Sequence, residues 1–147
     1  MTAIAVVERA IAVARDIRAE LLSRGGVKRD LAGQCALAAM HVAATLKEPG
    51  MLRVGFYMKH ATFCGRYGRY PNSHAWCQVD DTIVDPTATQ FGSSRAVHVA
   101  PATEDDRYIE TASGMAAIRK ILVDWCCGYL PEYKRLARQL RKEISCT

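Results

Sequence analysis

The sequence predicts an α+β fold built on an antiparallel sheet. Hydrophobic residues recur at helical spacing towards both ends of the chain, while in the middle the period drops to that of strands. The strand-like segments follow one another through hairpin-length connections, which imply antiparallel pairing rather than the crossovers of a parallel sheet. The 147 residues suit one domain spanning residues 1–147, long enough to bury one core, with no repeat, low-complexity tract or linker.

The elements follow in order. Ile4, Val7, Ile11, Ala14, Ile17 and Leu21 share one helical face, predicting a helix over residues 3–23 that Gly25-Gly26 closes. After a connector at 27–33, a second helix spans about residues 34–47. Its run Cys35-Ala36-Leu37-Ala38-Ala39-Met40 is apolar nearly all round, so this helix should be central and buried. Glu48-Pro49-Gly50 stops it. Residues 51–58 read as a strand, 59–73 as a long loop, and 74–79 and 82–85 as two strands joined by a tight turn at Asp80-Asp81. Residues 96–100 form a further strand and 101–110 an acidic connector. Two helices, 115–125 and 132–144, are separated around Gly128 and Pro131.

Half of the residues are hydrophobic and 24% are charged, an ordinary globular composition. No apolar run approaches the roughly 18 residues that cross a bilayer. The stretch MTAIAVVERAIAVARD is interrupted by Glu8, Arg9, Arg15 and Asp16 and does not read as a signal peptide. The expectation is a cytoplasmic protein, or one exported without a signal. The six cysteines are then free thiols in a reducing compartment, with the adjacent Cys126 and Cys127 serving as small apolar core residues. The net charge of +5 is concentrated at Lys134, Arg135, Arg138, Arg141 and Lys142, a solvated helix face or a site for an acidic partner.

Three residues carry chemistry. Cys35 falls at the head of a helix, His74 on a strand and Asp85 on the return strand of the same hairpin. A thiol, an imidazole and a carboxylate are the parts of an activated cysteine nucleophile. A cysteine attacks as thiolate, and a helix N-terminus and an imidazolium both favour the anion. The N–H groups of the helix start, that of Cys35 included, can also stabilise an oxyanion. With Asp80 and Asp81 as the turn, Val79 faces Thr82 and Trp76 faces Asp85. Asp85 is then a diagonal neighbour of His74 on one face, roughly 7 Å away at Cβ and within reach of a hydrogen bond. One extra loop residue would put it on the opposite face.

GQC at a helix head, HAW on a strand and DPT on the following strand resemble the transglutaminase-like branch of the papain-like cysteine enzymes. The wider match, GQCALAA…NSHAWCQVDDTIVDPTATQF, covers about residues 31–91, with 39 residues from Cys35 to His74 and 11 more to Asp85. The resemblance implies Cys35 as nucleophile, His74 as general base and acid, and Asp85 as orienter. It also implies a papain-like core in which the cysteine helix packs on an antiparallel sheet. Ala36 stands where large transglutaminases carry an aromatic residue, and their calcium-site and flanking β-domains do not fit this length, which argues against protein cross-linking. Small members include peptidases, among them leader peptidases of lasso-peptide pathways, which look similar in size and in an AHAW-type strand. The DPTATQF segment is less typical of those.

The expected function is therefore cysteine-dependent hydrolysis of a peptide or protein amide through a thioester, with no cofactor. Glutamine transamidation or deamidation on the same triad is the second reading, and a non-catalytic module for an acidic partner the third. Trp76 is a core residue or a wall that keeps water from the catalytic pair; Gln34 caps the helix or donates to the oxyanion. His60, Cys64, His74 and Cys77 are zinc-competent in type, but His74 and Cys77 lie three apart on a strand and point to opposite faces, so no metal is expected. Residues 59–73 interleave Lys59, Arg66 and Arg69 with Phe63, Tyr67 and Tyr70. Leading into His74, they suit a substrate flap or a purely structural loop better than a nucleic-acid surface.

Overall fold

The computed structural model describes residues 2–25, 31, 33–63, 66–125 and 130–145. It is an α+β structure in which a curled antiparallel sheet packs against helices. Helix α1 (Ala3–Leu22) starts at Thr2, whose side chain accepts from the Ala5 N–H at 3.2 Å. Its buried residues Ala10 and Ala14 are small, which lets it lie close against helix α2 (Cys35–Leu46). Eight of the twelve residues of α2 are buried, as its all-round apolar sequence requires. It ends at Lys47, which takes the left-handed conformation at φ 56°. Helix α3 (Gly114–Asp124) buries Ala117, Ile118 and Ile121. Helix α4 (Leu130–Ser145) buries Tyr133, Leu136, Ala137 and Leu140, one stripe at helical spacing, and leaves Lys134, Arg135, Arg138, Arg141 and Lys142 exposed. Pro131 is tolerated in its first turn, where its missing N–H costs nothing.

The sheet contains β1 (Leu52–Phe63), β2 (Arg66–Val79), β3 (Thr82–Asp85), β4 (His98–Pro101) and β5 (Tyr108–Ser113). Their spatial order is β4-β3-β2-β1-β5. One face packs Leu52, Val54, Ala75, Cys77 and Val84 against α2 in the main core. The other carries a smaller aromatic cluster of Tyr57, Trp76, Ile83 and Tyr108. The β2–β3 register pairs Val79 with Thr82, Gln78 with Ile83 and Cys77 with Val84, so Asp80 and Asp81 form a two-residue turn. Asp80 adopts the left-handed conformation such turns demand, at φ 51°.

Two segments differ from the sequence expectation. Residues 59–73 are not a loop: β1 and β2 stay paired from Leu52↔Cys77 to Phe63↔Arg66. Past Met58, whose N–H donates to the Arg107 carbonyl at 2.7 Å, no third strand joins the ribbon among the described residues, and Lys59, His60, Gly68 and Arg69 are exposed. Its sequence lacks the hydrophobic alternation that marks a strand. Pro71 is accommodated because β2 has only β1 beside it there. Residues 101–110 are not a plain connector either. They hold a single 3-10 turn (Ala102–Glu104) and the start of β5, an edge strand in which Tyr108 is the one buried residue. Most of the 27–33 connector, Gly26, Cys64, Cys126, Cys127, Gly128, Cys146 and the side chains of Phe63, Arg66, Tyr67 and Tyr70 lie outside the described residues.

Candidate active site

A bend of two left-handed residues delivers Cys35. Leu31 is buried at φ 58°, a conformation rarely held by a branched side chain, and Gly33 follows at φ 81°. The Gln34 N–H donates to the Leu31 carbonyl at 2.9 Å and closes the turn. Cys35 is then the first residue of α2, and the Ala38 N–H bonds the Gln34 carbonyl. The N–H groups of the first turn, Cys35's included, have no acceptor within the helix and suit an anion.

His74 and Asp85 are fully buried and meet directly, Nε2 to Oδ2 at 2.6 Å. The two-residue turn is what puts them on one face. The remaining capacity of the carboxylate is filled. Thr87 donates its backbone N–H to Oδ1 at 2.9 Å and its hydroxyl at 3.2 Å, an Asx-type turn begun by Asp85-Pro86. The Tyr108 hydroxyl donates to Oδ2 at 2.6 Å.

Burial alone would drive His74 towards its neutral form. The charge and hydrogen bond of Asp85 outweigh that, Cys35 adds to them, and the ring is held protonated up to about pH 10. Burial likewise pushes Asp85 up, but the imidazolium, Tyr108 and Thr87 bring its carboxyl below the usual value. Nε2 is committed to Asp85, so Nδ1 is the ring nitrogen left for Cys35; it makes no hydrogen bond among the described residues.

Four aromatic rings enclose the imidazole. Trp76 stacks on it at 5.9 Å, Phe91 meets it edge-on at 4.8 Å, and Tyr57 and Tyr108 stand at 5.9 Å. They exclude water and so strengthen the pair's electrostatics. The Cys35 side opens into a cleft of about 700 Å³, of the size of a small-ligand or peptide side-chain site. Val54, Phe56, Asn72, Phe91, Lys120 and Trp125 are among its walls. Gly55 lies on its floor opposite His74. A Cβ there would sit 1.9 Å from the Ile109 carbonyl oxygen, across the irregularity where β1 shifts register on β5.

No family model, curated protein or solved structure matches this chain.

Of the residues singled out in the sequence, His74, Asp85 and Trp76 lie together, and Cys35 acts on the charge of His74 from the head of α2. Trp76 lies behind the imidazole, outside the cleft walls. Gln34 is buried just before α2 and makes no side-chain capping hydrogen bond. Its backbone N–H is taken by Leu31, leaving that of Cys35 better placed for an oxyanion. His74 and Cys77 point to opposite faces of β2, the Cys77 thiol donating to the Ala39 carbonyl at 3.4 Å. Among the described residues no three metal-ligating side chains cluster. Sequence reasoning missed Thr87, Tyr57, Phe91 and Tyr108. Thr87 had a signal, since Asp-Pro-Thr is a turn in which the threonine can bond back to the aspartate. Tyr108 had none, lying in a segment that read as an acidic connector.

Proposed function

We propose that this protein is a cysteine-dependent amide-bond hydrolase with a papain-like, transglutaminase-like core. The observation that carries the reading is the buried His74–Asp85 pair: the imidazole Nδ1 makes no hydrogen bond among the described residues, and the ring's positive charge is supported by Cys35, which lines a cleft. An imidazolium maintained across neutral pH is the counter-ion a thiolate needs. The Cys35 thiolate attacks the carbonyl carbon of a bound peptide or protein amide. The oxyanion forms at the head of α2, within reach of the Cys35 N–H. His74 gives its proton to the leaving amine as the C–N bond breaks, leaving a thioester on Cys35. Neutral His74 then takes a proton from water, the hydroxide attacks the thioester, and the carboxylic acid and thiolate are released. Asp85 stays ionised and keeps the ring oriented with Nδ1 towards sulfur.

The test uses p-nitrophenyl acetate as acyl donor. The expected result is a burst of nitrophenolate and an acetyl thioester mapped to Cys35, both lost in Cys35→Ala. Resolution of that thioester by water alone supports hydrolysis, whereas faster resolution by added primary amine supports transamidation. A burst that survives in Cys35→Ala contradicts a Cys35 acyl-enzyme and leaves a binding module for an acidic partner as the better reading.

A further inference from the structure

Tyr108 belongs to β5, at the opposite edge of the sheet from the β3–β4 pair, yet its hydroxyl reaches Asp85 at the end of β3. It shares Oδ2 with His74, each contact at 2.6 Å. The ring is clamped on several sides. His98 of β4 stacks on it at 5.8 Å with planes 4° apart, and Tyr57 and Trp76 meet it edge-on at 5.2 Å. A buried carboxylate, Asp105, anchors that clamp. It bonds His98 Nε2 at 2.8 Å and is gripped by Arg107 through Nε at 2.7 Å and Nη2 at 2.6 Å. The same guanidinium lies 5.6 Å over the Tyr57 ring, a cation–π contact on a wall of the His74 box. Asp105, Arg107 and His98 thus bridge the two edge strands around Tyr108.

We propose that Tyr108 is a positioning residue, whose hydroxyl keeps Asp85 ionised and aimed at His74, and that the Asp105–Arg107–His98 cluster holds Tyr108 in place. The inference rests on the reading that Asp85 and His74 serve Cys35. A hydroxyl donating to a carboxylate stabilises its charged form, and more so where water is absent. Without it, Oδ2 keeps only His74, the carboxylate protonates more readily and it is freer to turn away. Other groups also face this carboxylate. His74 comes from β2 and Thr87 follows β3, while Cys77, on the other face of β2, feels the charge of Asp85. Arg18 of α1 lies nearby, bonding the Pro86 carbonyl at 2.8 Å and Thr89 Oγ1 at 3.0 Å. Tyr108 itself feels Asp85, Tyr57 and Asp105, and His74 feels Cys35. All of these remain in Tyr108→Phe, so that variant isolates the hydroxyl.

The test follows the Asp85 carboxylate by 13C NMR as a function of pH in the full chain, with and without Tyr108→Phe. In parallel, the pH profile of Cys35 alkylation by iodoacetamide is recorded. The expected result is an Asp85 midpoint about one pH unit higher in Tyr108→Phe, with the acid limb of alkylation moving the same way. A purely structural hydroxyl would lower the melting temperature and leave both midpoints in place, which overturns the proposal. Should Tyr108→Phe fail to fold, Asp105→Asn serves. It keeps the hydroxyl but loosens its anchor, and an upward shift of about half a unit is expected; no shift overturns the proposal. The NMR midpoint needs no enzymatic activity, so the two readings separate. A shifted midpoint in a protein whose Cys35 is indifferent to His74→Ala sustains the Tyr108 hold and removes the enzyme. A static midpoint beside a His74-dependent Cys35 does the reverse.

Discussion

His74 Nε2 and the Tyr108 hydroxyl converge on one oxygen of Asp85, each at 2.6 Å, while both donors of Thr87 occupy the other oxygen. A carboxylate with every lone-pair direction engaged is fixed in orientation, and so is the imidazole it holds. The charge of this fixed pair is felt together with Cys35 at the head of α2.

Asp85→Asn keeps the shape of this side chain and removes its charge. Burial is then opposed only by the smaller influence of Cys35, and the ring moves towards its neutral form. The expected outcome is a loss of roughly a hundredfold or more in acyl transfer at pH 7, measured as the nitrophenolate burst rate, with the fold retained by circular dichroism.

The pair also makes stability depend on pH in a definite direction. The folded pKa of His74 is raised to about 10, so its contribution is fully present below the unfolded value of about 6.5 and is lost as pH rises through about 10. The folded pKa of Asp85 is lowered, so its contribution is present above the unfolded value of about 3.9 and is lost as pH falls through the folded one. Thermal melts should therefore show a plateau between about pH 4 and 6.5, with decline on both sides. In Asp85→Asn the decline between pH 7 and 10 should flatten.

Gly55→Ala brings a Cβ into the Ile109 carbonyl oxygen, a backbone atom that cannot move without breaking the β1–β5 pairing. Urea denaturation should show a loss of about 2 kcal/mol or more. Acyl transfer should fall as well, because Gly55 floors the cleft opposite His74.

The two described thiols should behave differently. Cys77 is fully buried, and burial together with the Asp85 charge pushes its pKa up. It should resist iodoacetamide in the folded protein and react only after denaturation, as peptide mapping would show.

The hairpin was legible because its turn is two aspartates between apolar residues, and that count alone puts Asp85 on the His74 face. The central helix was legible because nearly every residue of 35–43 is apolar. The ribbon formed by residues 59–63 and 66–73 was not, since a pair of strands outside the core needs no hydrophobic alternation. β5 was hidden for a related reason: an edge strand with one buried residue, Tyr108, carries no period to read. Its role depends on the sheet's curl, which brings that tyrosine to Asp85 from 23 residues away, and nothing local encodes that meeting.

The central claim is that His74, held by Asp85, activates Cys35. The most direct measurement is the rate of Cys35 alkylation by iodoacetamide from pH 5 to 9 in the unmodified protein and in His74→Ala. Selective Cys35 labelling below pH 7 is expected, slowed about tenfold or more by His74→Ala. Equal rates in the two proteins across that range would contradict it.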